Sequence, residues 1–510
     1  MSCDVRNEAH GSDTKAGPMS RTDTTPTSAT RRTGIEVRSI DYVPQAERHG
    51  KVSHIGPLWF MCNAQIATLA TGLISITTGG NLIWSFIAIA VGICIGTFFM
   101  AAHSSQGPQL GLPQMIQSRP QFGYIGALLV WLFAYIQYAG FNIFNSVLGG
   151  EAIGGAISSK QASNPLWIWL VTIVAVVIAL VGYDFIHSFE RYLTYLTIVV
   201  LALVSISAII HLHIPASEFN LGAFNPVAFF GQLGVAAGYQ ISWAIYVSDY
   251  SRYLPADTKT SSTFNVTFWG SALGGMWMMF LGSYIAVSAK DIGSNTVVDL
   301  KKVADALFPG FGVIALIVFG LGLVSVTALN MYGGSLTLIS SIDSFVKVKP
   351  TLRIRIVTLV ITAAISLGFA LFATEDFLGN FNAFLLLILY LFIPWTAVNL
   401  TDFFIVRRGH YAIAEIFKPN GIYKRWGWAG IGAYVLGFVA MIPFFDVAGV
   451  YTGPVSHAMG GVDISLFIGL PVAAVAYWLF TLRVDVAAER RLAEQQAIEI
   501  EEASAVHELP

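Results

Sequence analysis

The sequence predicts an all-α integral membrane protein with twelve transmembrane helices. Hydrophobic residues make up 55% of the chain and charged residues 11%, whereas soluble globular proteins carry about 25% charged residues. Apolar runs of about 20 residues, the length that crosses a bilayer core, occur twelve times. They lack the residue-by-residue alternation of membrane β-barrel strands. These observations exclude a soluble enzyme, a disordered protein and a nucleic-acid-binding protein.

The apolar runs lie between two polar ends. The first 54 residues contain no apolar core of the length that a signal peptide needs. We therefore divide the chain into a disordered cytoplasmic tail at 1–50, a transmembrane domain at 51–483 and a cytoplasmic C-terminal tail at 484–510. The predicted spans are 55–78, 82–101, 122–150, 164–182, 191–213, 226–247, 264–288, 308–339, 353–372, 380–405, 428–445 and 463–482.

The distribution of basic residues predicts the orientation. With the N-terminus inside, 24 of the 28 Lys and Arg residues fall in inner segments, as the positive-inside rule requires. Both termini are therefore predicted to be cytoplasmic. The four outer basic residues are Lys160, Lys290, Lys301 and Lys302. The last three depart from the rule, in a loop between spans 7 and 8 that is long enough to carry its own structure.

Span 1 contains several polar side chains within an apolar run. Asn63, Gln65 and Thr68 do not share one narrow helical stripe, so a continuous helix would turn some of them toward lipid. An interrupted helix could direct all of them into a cavity. The alternative is ordinary hydrogen bonding between helices.

Span 6 is the counterpart of span 1, five spans later. It is rich in glycine, including Gly238, and continues with Gln240 and Trp243. Two weakened helices in corresponding positions of two five-helix halves indicate a transporter binding site between them. The alternative for the glycines is close packing against another helix.

Span 3 carries Phe141 and Asn145, followed by Glu151. Glu151 is the only charged residue between Arg119 and Lys160, and it lies about 9 Å beyond Asn145 along a helix. It could carry a proton within the membrane, or it could lie in water at the outer interface.

Span 8 carries Asn330. Asn145 and Asn330 each offer a paired donor and acceptor, which suits a flat heterocycle with alternating N–H and C=O edges. Phe141 and Trp243 could stack on its faces, the alternative being ordinary packing. The chain has no HExxH, GxSxG or P-loop motif, so neither an enzyme nor a cofactor is predicted.

Three longer stretches resemble a known family. They are the segment from Pro394 to Tyr411, the segment from Asp249 to Pro255 and the segment from Ser118 to Gly123. Together they resemble the nucleobase:cation symporter-1 family, and within it the purine–cytosine permease branch. The resemblance covers about residues 50–480 and leaves out the tails.

The resemblance implies a fold of the LeuT type. Spans 1–5 and 6–10 would form an inverted repeat with helices 1 and 6 interrupted, and spans 11 and 12 would be extra. It places Gln65, Asn145 and Asn330 on substrate-contacting positions of the family. It also makes Trp243 a stacking residue, with Gln240 and Gly238 nearby. Phe141 departs from the family pattern, because Trp is usual there.

The resemblance also implies a cation site. Sodium-coupled relatives use backbone carbonyls from spans 1 and 8, which here belong to Met61, Ala64 and Leu321, and two adjacent hydroxyls, which here correspond to Val324 and Ser325. Valine offers no oxygen ligand, and hard cations prefer several. A proton is therefore favoured over sodium, with Glu151 as its candidate carrier.

The combined expectation is a multi-pass secondary active transporter of the plasma or inner membrane. It would import a nucleobase of the cytosine or purine type with a proton, by alternating access. Its partners would be this small molecule and the lipid bilayer, with no nucleic acid, and its oligomeric state is open. One alternative is a symporter for another N-heterocycle, such as uracil, allantoin, hydantoin or a pyridoxine-like compound. The other is a non-transporting membrane sensor on the same fold.

Overall fold

The structure is a computed structural model that describes residues 42–162, 164–181, 183–288, 295–346, 348, 351–372 and 377–506. Within these ranges the chain is almost entirely helical. The first half contains α1 (Val52–Asn63), α2 (Ile66–Thr71), α3 (Ile74–Thr77), α4 (Leu82–Ser104), α5 (Gln106–Leu110), α6 (Arg119–Phe122), α7 (Ala127–Ile157), α8 (Pro165–Val181), α9 (Tyr183–His211), α10 (Pro226–Ser242) and α11 (Val247–Ser251).

The second half contains long helices and one small hairpin. Its elements are α12 (Thr260–Ser288), α13 (Thr296–Leu307), α14 (Phe311–Asp343), α15 (Leu352–Ala370), α16 (Phe377–Thr401), α17 (Ile413–Ile416), α18 (Trp428–Met441), β1 (Asp446–Val447), β2 (Tyr451–Thr452), α19 (Pro454–Ala458), α20 (Ser465–Thr481) and α21 (Val486–Val506). A π-helical turn, Asp402–Val406, follows α16 directly.

Seven helices in the described ranges are long and apolar enough to cross a membrane, and nine if each of two bent helix pairs is one span. The first bent pair is the predicted span 1, in which Val52–Asn63 and Ile66–Thr77 meet at 60°. Two further apolar helices, Pro165–Leu180 and Trp428–Phe444, are shorter. The predicted span 6 ends as an α-helix at Ser242, where a 3-10 turn, Trp243–Ile245, leads into α11.

Close glycine contacts hold α1–α3, α4, α10 and α12 together as one group. A Cβ atom on Gly274 of α12 would lie 2.6 Å from the carbonyl oxygen of Phe60 in α1, so the two backbones touch only because this position has no side chain. A second group consists of α7, α8, α14 and α15, in which α7 and α14 run along each other over most of their length. The buried core is continuous between the two groups.

Both ends of the folded part reach into segments that the sequence assigns to tails. Residues 1–41 lie outside the described residues, but 42–50 pack against the loops that contain Gly111 and Tyr253. The buried Arg48 donates from Nε to the carbonyl of Val43 at 2.8 Å and from Nη1 to the carbonyl of Pro108 at 2.7 Å. At the other end, α21 occupies most of the predicted C-terminal tail and contacts α17.

Candidate functional site

The break between α1 and α2 positions the first site residue. Ala64 and Gln65 leave helical geometry, and Gln65 is extended, with φ −125° and ψ 155°. The Gln65 side chain turns back and donates from Nε2 to the carbonyl oxygen of Met61 at 2.7 Å. Its Oε1 is buried without a hydrogen-bond partner among the described residues. A Cβ atom on Gly322 would lie 2.7 Å from this oxygen, so Gln65 faces α14.

An aromatic cluster occupies the space between the two helix groups. It consists of Trp59, Tyr138, Phe141, Tyr239, Trp243, Tyr246 and Tyr250, all of them buried. The rings of Phe141 and Trp243 are near parallel, at 24° with centroids 6.3 Å apart. Tyr239 stands edge-on to both rings. The Trp243 indole Nε1 is buried without a partner in the described part of the chain.

The amide of Asn330 borders this cluster. Its Oδ1 accepts a hydrogen bond from the Tyr246 hydroxyl at 3.2 Å, and the Tyr246 ring lies 5.2 Å from that of Tyr138. Both Asn330 and Asn145 are buried. The structure therefore brings Phe141, Trp243 and Asn330 together around Tyr246, where α7, α10 and α14 meet. Gln65 meets α14 at Gly322, about 12 Å from Asn330 along that helix.

Asn142 is a further amide on α7 that the sequence analysis did not assign to the site. Tyr138 packs on Gly333, and Gly149 packs on Leu323, so this antiparallel register sets Asn142 level with Asn330. Both polar atoms of its fully buried side chain have no partner among the described residues. The segment Gly140–Asn145 contains two asparagines. The sequence alone does not show which of them lies level with Asn330, because that depends on the register of α7 against α14.

Two predicted site residues point elsewhere. Gln240 donates to Oδ1 of Asn63 at 2.9 Å and accepts from the hydroxyl of Ser271 in α12 at 2.7 Å. Its amide thus belongs to the contact of α10 with α1 and α12, not to the aromatic cluster. Gly238 faces α16, since a Cβ atom there would lie 2.9 Å from the carbonyl oxygen of Leu385. Gly238 is therefore a close-packing position.

The predicted cation ligands are only partly available. The Met61 carbonyl already accepts hydrogen bonds from Gln65 Nε2 and, at 3.2 Å, from the backbone N–H of Ala64. Val324 is buried beside the buried Ser325, and the side chain of Leu321 is partly exposed on the outer surface of α14. Glu151 is partly exposed, two turns beyond Asn145 on α7.

A cleft lies next to the aromatic cluster on the side of α11. It shares Tyr138, Tyr246 and Tyr250 with the cluster and is also lined by Asp249, Arg252, Leu329, Tyr332, Gly333 and Leu336. The cleft therefore connects the aromatic rings with a charged segment that the positive-inside rule assigns to the cytoplasmic side.

Comparison with known proteins gives a match over most of the chain. The family model for permeases of cytosine/purines, uracil, thiamine and allantoin matches residues 42–469. A putative purine-cytosine permease of Bacillus subtilis, YxlA, is 36% identical over 446 residues, which are 87% of this chain and 95% of that protein. The purine-cytosine permease fcyB of Emericella nidulans is 23% identical over 87% of both chains.

The fold also has a solved counterpart. The structure of Mhp1, a nucleobase-cation-symport-1 family transporter in a closed conformation with bromovinylhydantoin bound, superposes with a TM-score of 0.70. The match covers 91% of this chain and all of that one, at 18% identity. The two proteins therefore share the LeuT-type fold, and at this identity the likeness extends to the fold alone.

Proposed function

The chain belongs to the family of permeases for cytosine/purines, uracil, thiamine and allantoin, and we propose that it imports a nucleobase of the cytosine or purine type with a proton. As a family member it is a multi-pass membrane transporter and not an enzyme. The finer proposal is secondary active transport across the plasma or inner membrane by alternating access. The relatives named as purine-cytosine permeases support the substrate class.

The observation that carries the substrate proposal is the set of unpaired polar atoms beside parallel aromatic rings. Trp243 Nε1 and both polar atoms of the Asn142 amide are buried without partners among the described residues, and so is Gln65 Oε1, which faces Gly322 on α14. A buried polar group without a partner costs about 1–3 kcal/mol, so a ligand that pairs them is strongly favoured. A nucleobase edge carries both N–H donors and C=O or ring-nitrogen acceptors, and can therefore pair with this mixed set.

The spacing of the rings supports a flat ligand. A planar ring between two others needs about 7 Å, which is two carbon–carbon contact distances of about 3.5 Å. The Phe141 and Trp243 rings are within 24° of parallel, with centroids 6.3 Å apart, and we infer that a ligand ring enters between them as α7 and α10 separate. Phe141 in place of the usual Trp leaves a smaller stacking surface.

The finer topology is also a proposal. We infer twelve crossings, with both termini in the cytoplasm and helices 1 and 6 interrupted. The bend at Ala64–Gln65 and the 3-10 turn after Ser242 support the interruptions. The short helices α8 and α18 supply two of the crossings beyond the long ones, and the distribution of Lys and Arg supports the orientation.

Proton coupling is supported by the shortage of oxygen ligands at the predicted cation site. Val324 offers no oxygen, and Gln65 already donates to the Met61 carbonyl. Both features reduce the oxygen ligands that a hard cation requires. A proton needs no such cage. Glu151 remains the candidate carrier suggested by the sequence.

Uptake in a permease-deficient cell tests the function. Cells expressing the chain should accumulate radiolabelled cytosine or a purine base, whereas cells carrying the empty vector should not. Surface expression is measured in parallel, to distinguish a protein that reaches the membrane but does not transport from one that fails to reach the membrane. Absence of uptake for every heterocycle, at normal expression, would favour a membrane sensor on the same fold.

The second candidate is a symporter for another N-heterocycle. The scope of the family, which includes permeases for uracil, thiamine and allantoin, favours it, because uracil, allantoin, hydantoin and pyridoxine-like compounds present similar flat edges. Unlabelled members of this group should therefore compete in turn against one labelled substrate. Stronger competition by a hydantoin or by allantoin than by cytosine and the purines would replace the nucleobase proposal.

A further inference from the structure

A buried histidine lies outside the aromatic cluster, where α4 meets α16. His103 is fully buried, and its ring lies flat on the indole of Trp395, with centroids 4.5 Å apart and planes at 1°. The indole is fixed in turn, because Trp395 Nε1 donates to the hydroxyl of Ser118 at 3.0 Å. Histidine is the side chain that ordinarily exchanges a proton near neutral pH, and nothing in the proposed substrate site uses this one.

Three side-chain amides connect the His103 ring to α16. Gln114 Nε2 lies 3.1 Å from His103 Nδ1 and 3.3 Å from Gln106 Oε1. Gln106 Nε2 then donates to Oδ1 of Asn399 at 2.8 Å. We call Gln114, Gln106 and Asn399 the amide relay. In this direction Nδ1 accepts, so the neutral ring carries its proton on Nε2, and Nε2 is buried without a partner among the described residues.

The amide relay also works in reverse. Rotating a side-chain amide by half a turn exchanges its donor and its acceptor. If all three rotate, Gln114 Oε1 accepts from His103 Nδ1, Gln106 donates to Gln114, and Asn399 donates to Gln106. Every link still joins a donor to an acceptor. Only the reversed relay is compatible with a protonated ring, because both of its nitrogens then carry hydrogen.

The charges around the ring are few. Asp249 of α11 lies next to the relay, with its Oδ1 accepting from the backbone N–H of Gln114 at 2.8 Å, and Arg252 follows on the same segment. In the π-helical turn after α16, the carboxylate of Asp402 is engaged elsewhere, by Gln121, Tyr411, Tyr477 and Arg407. The helices α5, α10 and α12, which also pack around this end of α4, contain no acidic or basic residue. Asp249 is thus an acidic group next to the relay, and the buried Arg48, which donates to the Pro108 carbonyl of α5, is a basic one.

We propose that His103 binds and releases the coupling proton, and that the amide relay reverses with each step. The proton comes from water on one side of the membrane, adds to Nδ1 and leaves from Nδ1 to water on the other side, and no other covalent bond is made or broken. Asn399 then offers Gln106 a donor in place of an acceptor, on the helix that also carries Trp395. The protonation state is thereby transmitted to α16, which packs against α10 of the substrate site. This inference rests on the proton coupling proposed above.

The test compares driven accumulation with exchange in proteoliposomes containing the whole protein. The probe is radiolabelled cytosine or adenine, whichever the wild type accumulates under an inward proton gradient. In His103→Gln the ratio of gradient-driven accumulation to counterflow exchange should fall at least tenfold, because glutamine cannot take up a proton. His211→Gln is the matched control, since His211 lies at the end of α9 and its hydrogen bonds within the described residues stay in its own helix.

The possible outcomes distinguish a failure of the His103 proposal from a failure of the proposed transport function. If the wild type accumulates neither base, or needs sodium instead of a proton gradient, the proposed function fails. If the wild type is proton-driven and His103→Gln keeps the same ratio, the role of His103 is overturned. A collapse of the ratio in Glu151→Gln alone would assign the proton to Glu151.

A second variant decides the case in which His103→Gln abolishes all transport. Gln114→Glu places a carboxylate against Nδ1, which favours the protonated ring. The midpoint of the pH dependence of uptake should then rise by about one pH unit or more. An unchanged midpoint in an active Gln114→Glu protein would overturn the proposal, because a structural histidine would not respond in this way.

Discussion

At the scale of single residues, the candidate site depends on side-chain amides that differ in their partners. Asn330 accepts one hydrogen bond, from Tyr246, whereas Asn142 makes none among the described residues. Gln65 uses its donor on Met61 and leaves its acceptor unpaired within the same part of the chain. A ligand that enters this region therefore meets both donors and acceptors that the protein does not satisfy itself.

Asn330→Ala should weaken substrate binding by about ten- to one hundredfold, because a substrate edge buried without its partner costs about 1–3 kcal/mol. The measurement is the dissociation constant of purified protein by scintillation proximity. Tyr246→Phe is the control, since it removes only the hydroxyl that donates to Asn330. Unchanged affinity in Asn330→Ala would remove α14 from the substrate site.

Asn142→Leu should raise stability and lower affinity together. Replacing an unpaired buried amide by an apolar group of similar size removes its desolvation cost, so the thermal unfolding midpoint should rise. Affinity should fall at least tenfold if the substrate pairs with this amide. Gln137→Leu is the matched control, because Gln137 is a second fully buried amide on α7 without a partner among the described residues.

Gln137→Leu should also raise the unfolding midpoint, but without the loss of affinity. Equal affinities in the two variants would show that Asn142 is an ordinary buried amide. A loss in both would instead extend the site along α7 toward the N-terminal end of that helix.

At the scale of elements, the contacts between helices determine which face of each helix reaches the site. Gly238 lies against α16 with almost no space, whereas a methyl group added to Gly231 on the same helix would meet no described atom within 4 Å. Gly238→Ala should therefore destabilise the protein by about 1–3 kcal/mol through overpacking. Thermal unfolding of the detergent-purified protein measures this.

Gly231→Ala is the control for that substitution on the same helix. It should be neutral or should stabilise α10 by up to about 1 kcal/mol, because alanine favours helix over glycine. Equal unfolding midpoints for the two variants would contradict the tight packing of α10 on α16.

The sequence predicts which types of residue form the site better than it predicts the directions in which their side chains point. Asn63 and Gln65 are two residues apart, and across the bend they turn to α12 and α14 respectively. A break is predicted here because these polar residues do not share one stripe of a continuous helix. Gln240 is chemically suited to bind a base, yet it bonds to Asn63 and Ser271. Its direction depends on how α10 packs against α4 and α12, and no local pattern contains that information.

At the scale of the whole molecule, α21 joins the C-terminal end of the chain to the segment that follows α16. Arg407 donates from Nε to Glu489 Oε2 at 2.7 Å and also pairs with the buried Asp402. Further along, Gln496 accepts from the backbone N–H of Ala414 at 3.2 Å. The polar composition of the tail gave no sign of this, because its partners lie in a loop about 80 residues earlier.

A hydrogen bond from Lys418 reinforces the second contact of α21. It holds the pKa of Glu415 below its usual range, so the Glu415 carboxylate is ionised at neutral pH. In that state it accepts from Gln496 Nε2 at 3.4 Å. The C-terminal helix is thus held at two points, Glu489 near its start and Gln496 about two turns further on.

Glu489→Ala should release α21, because it leaves the buried Arg407 with only Asp402 and Tyr477 as side-chain hydrogen-bond partners in the described part of the chain and removes a charged hydrogen bond worth about 1–3 kcal/mol. Limited proteolysis should cut α21 at least several times faster than in the wild type. Glu494→Ala is the control on the same helix, since Glu494 and its partner Arg490 are both more than half exposed, and such pairs contribute little. Equal cleavage rates for both variants would show that α21 does not depend on Arg407.

The driving force is a property of the whole transport cycle, and it can be predicted from the cation site. Sodium would need several oxygen ligands between α1 and α14, but Val324 supplies none and the Met61 carbonyl accepts from Gln65. Uptake should therefore rise as external pH falls, since a proton carried inward is then more abundant outside. It should collapse with a protonophore and persist when choline replaces sodium.

The measurement is initial uptake of labelled substrate at several external pH values, with cells lacking the transporter as the background. Strict loss of uptake in choline would mean that Gln65 moves off Met61 during the cycle and that sodium takes its place.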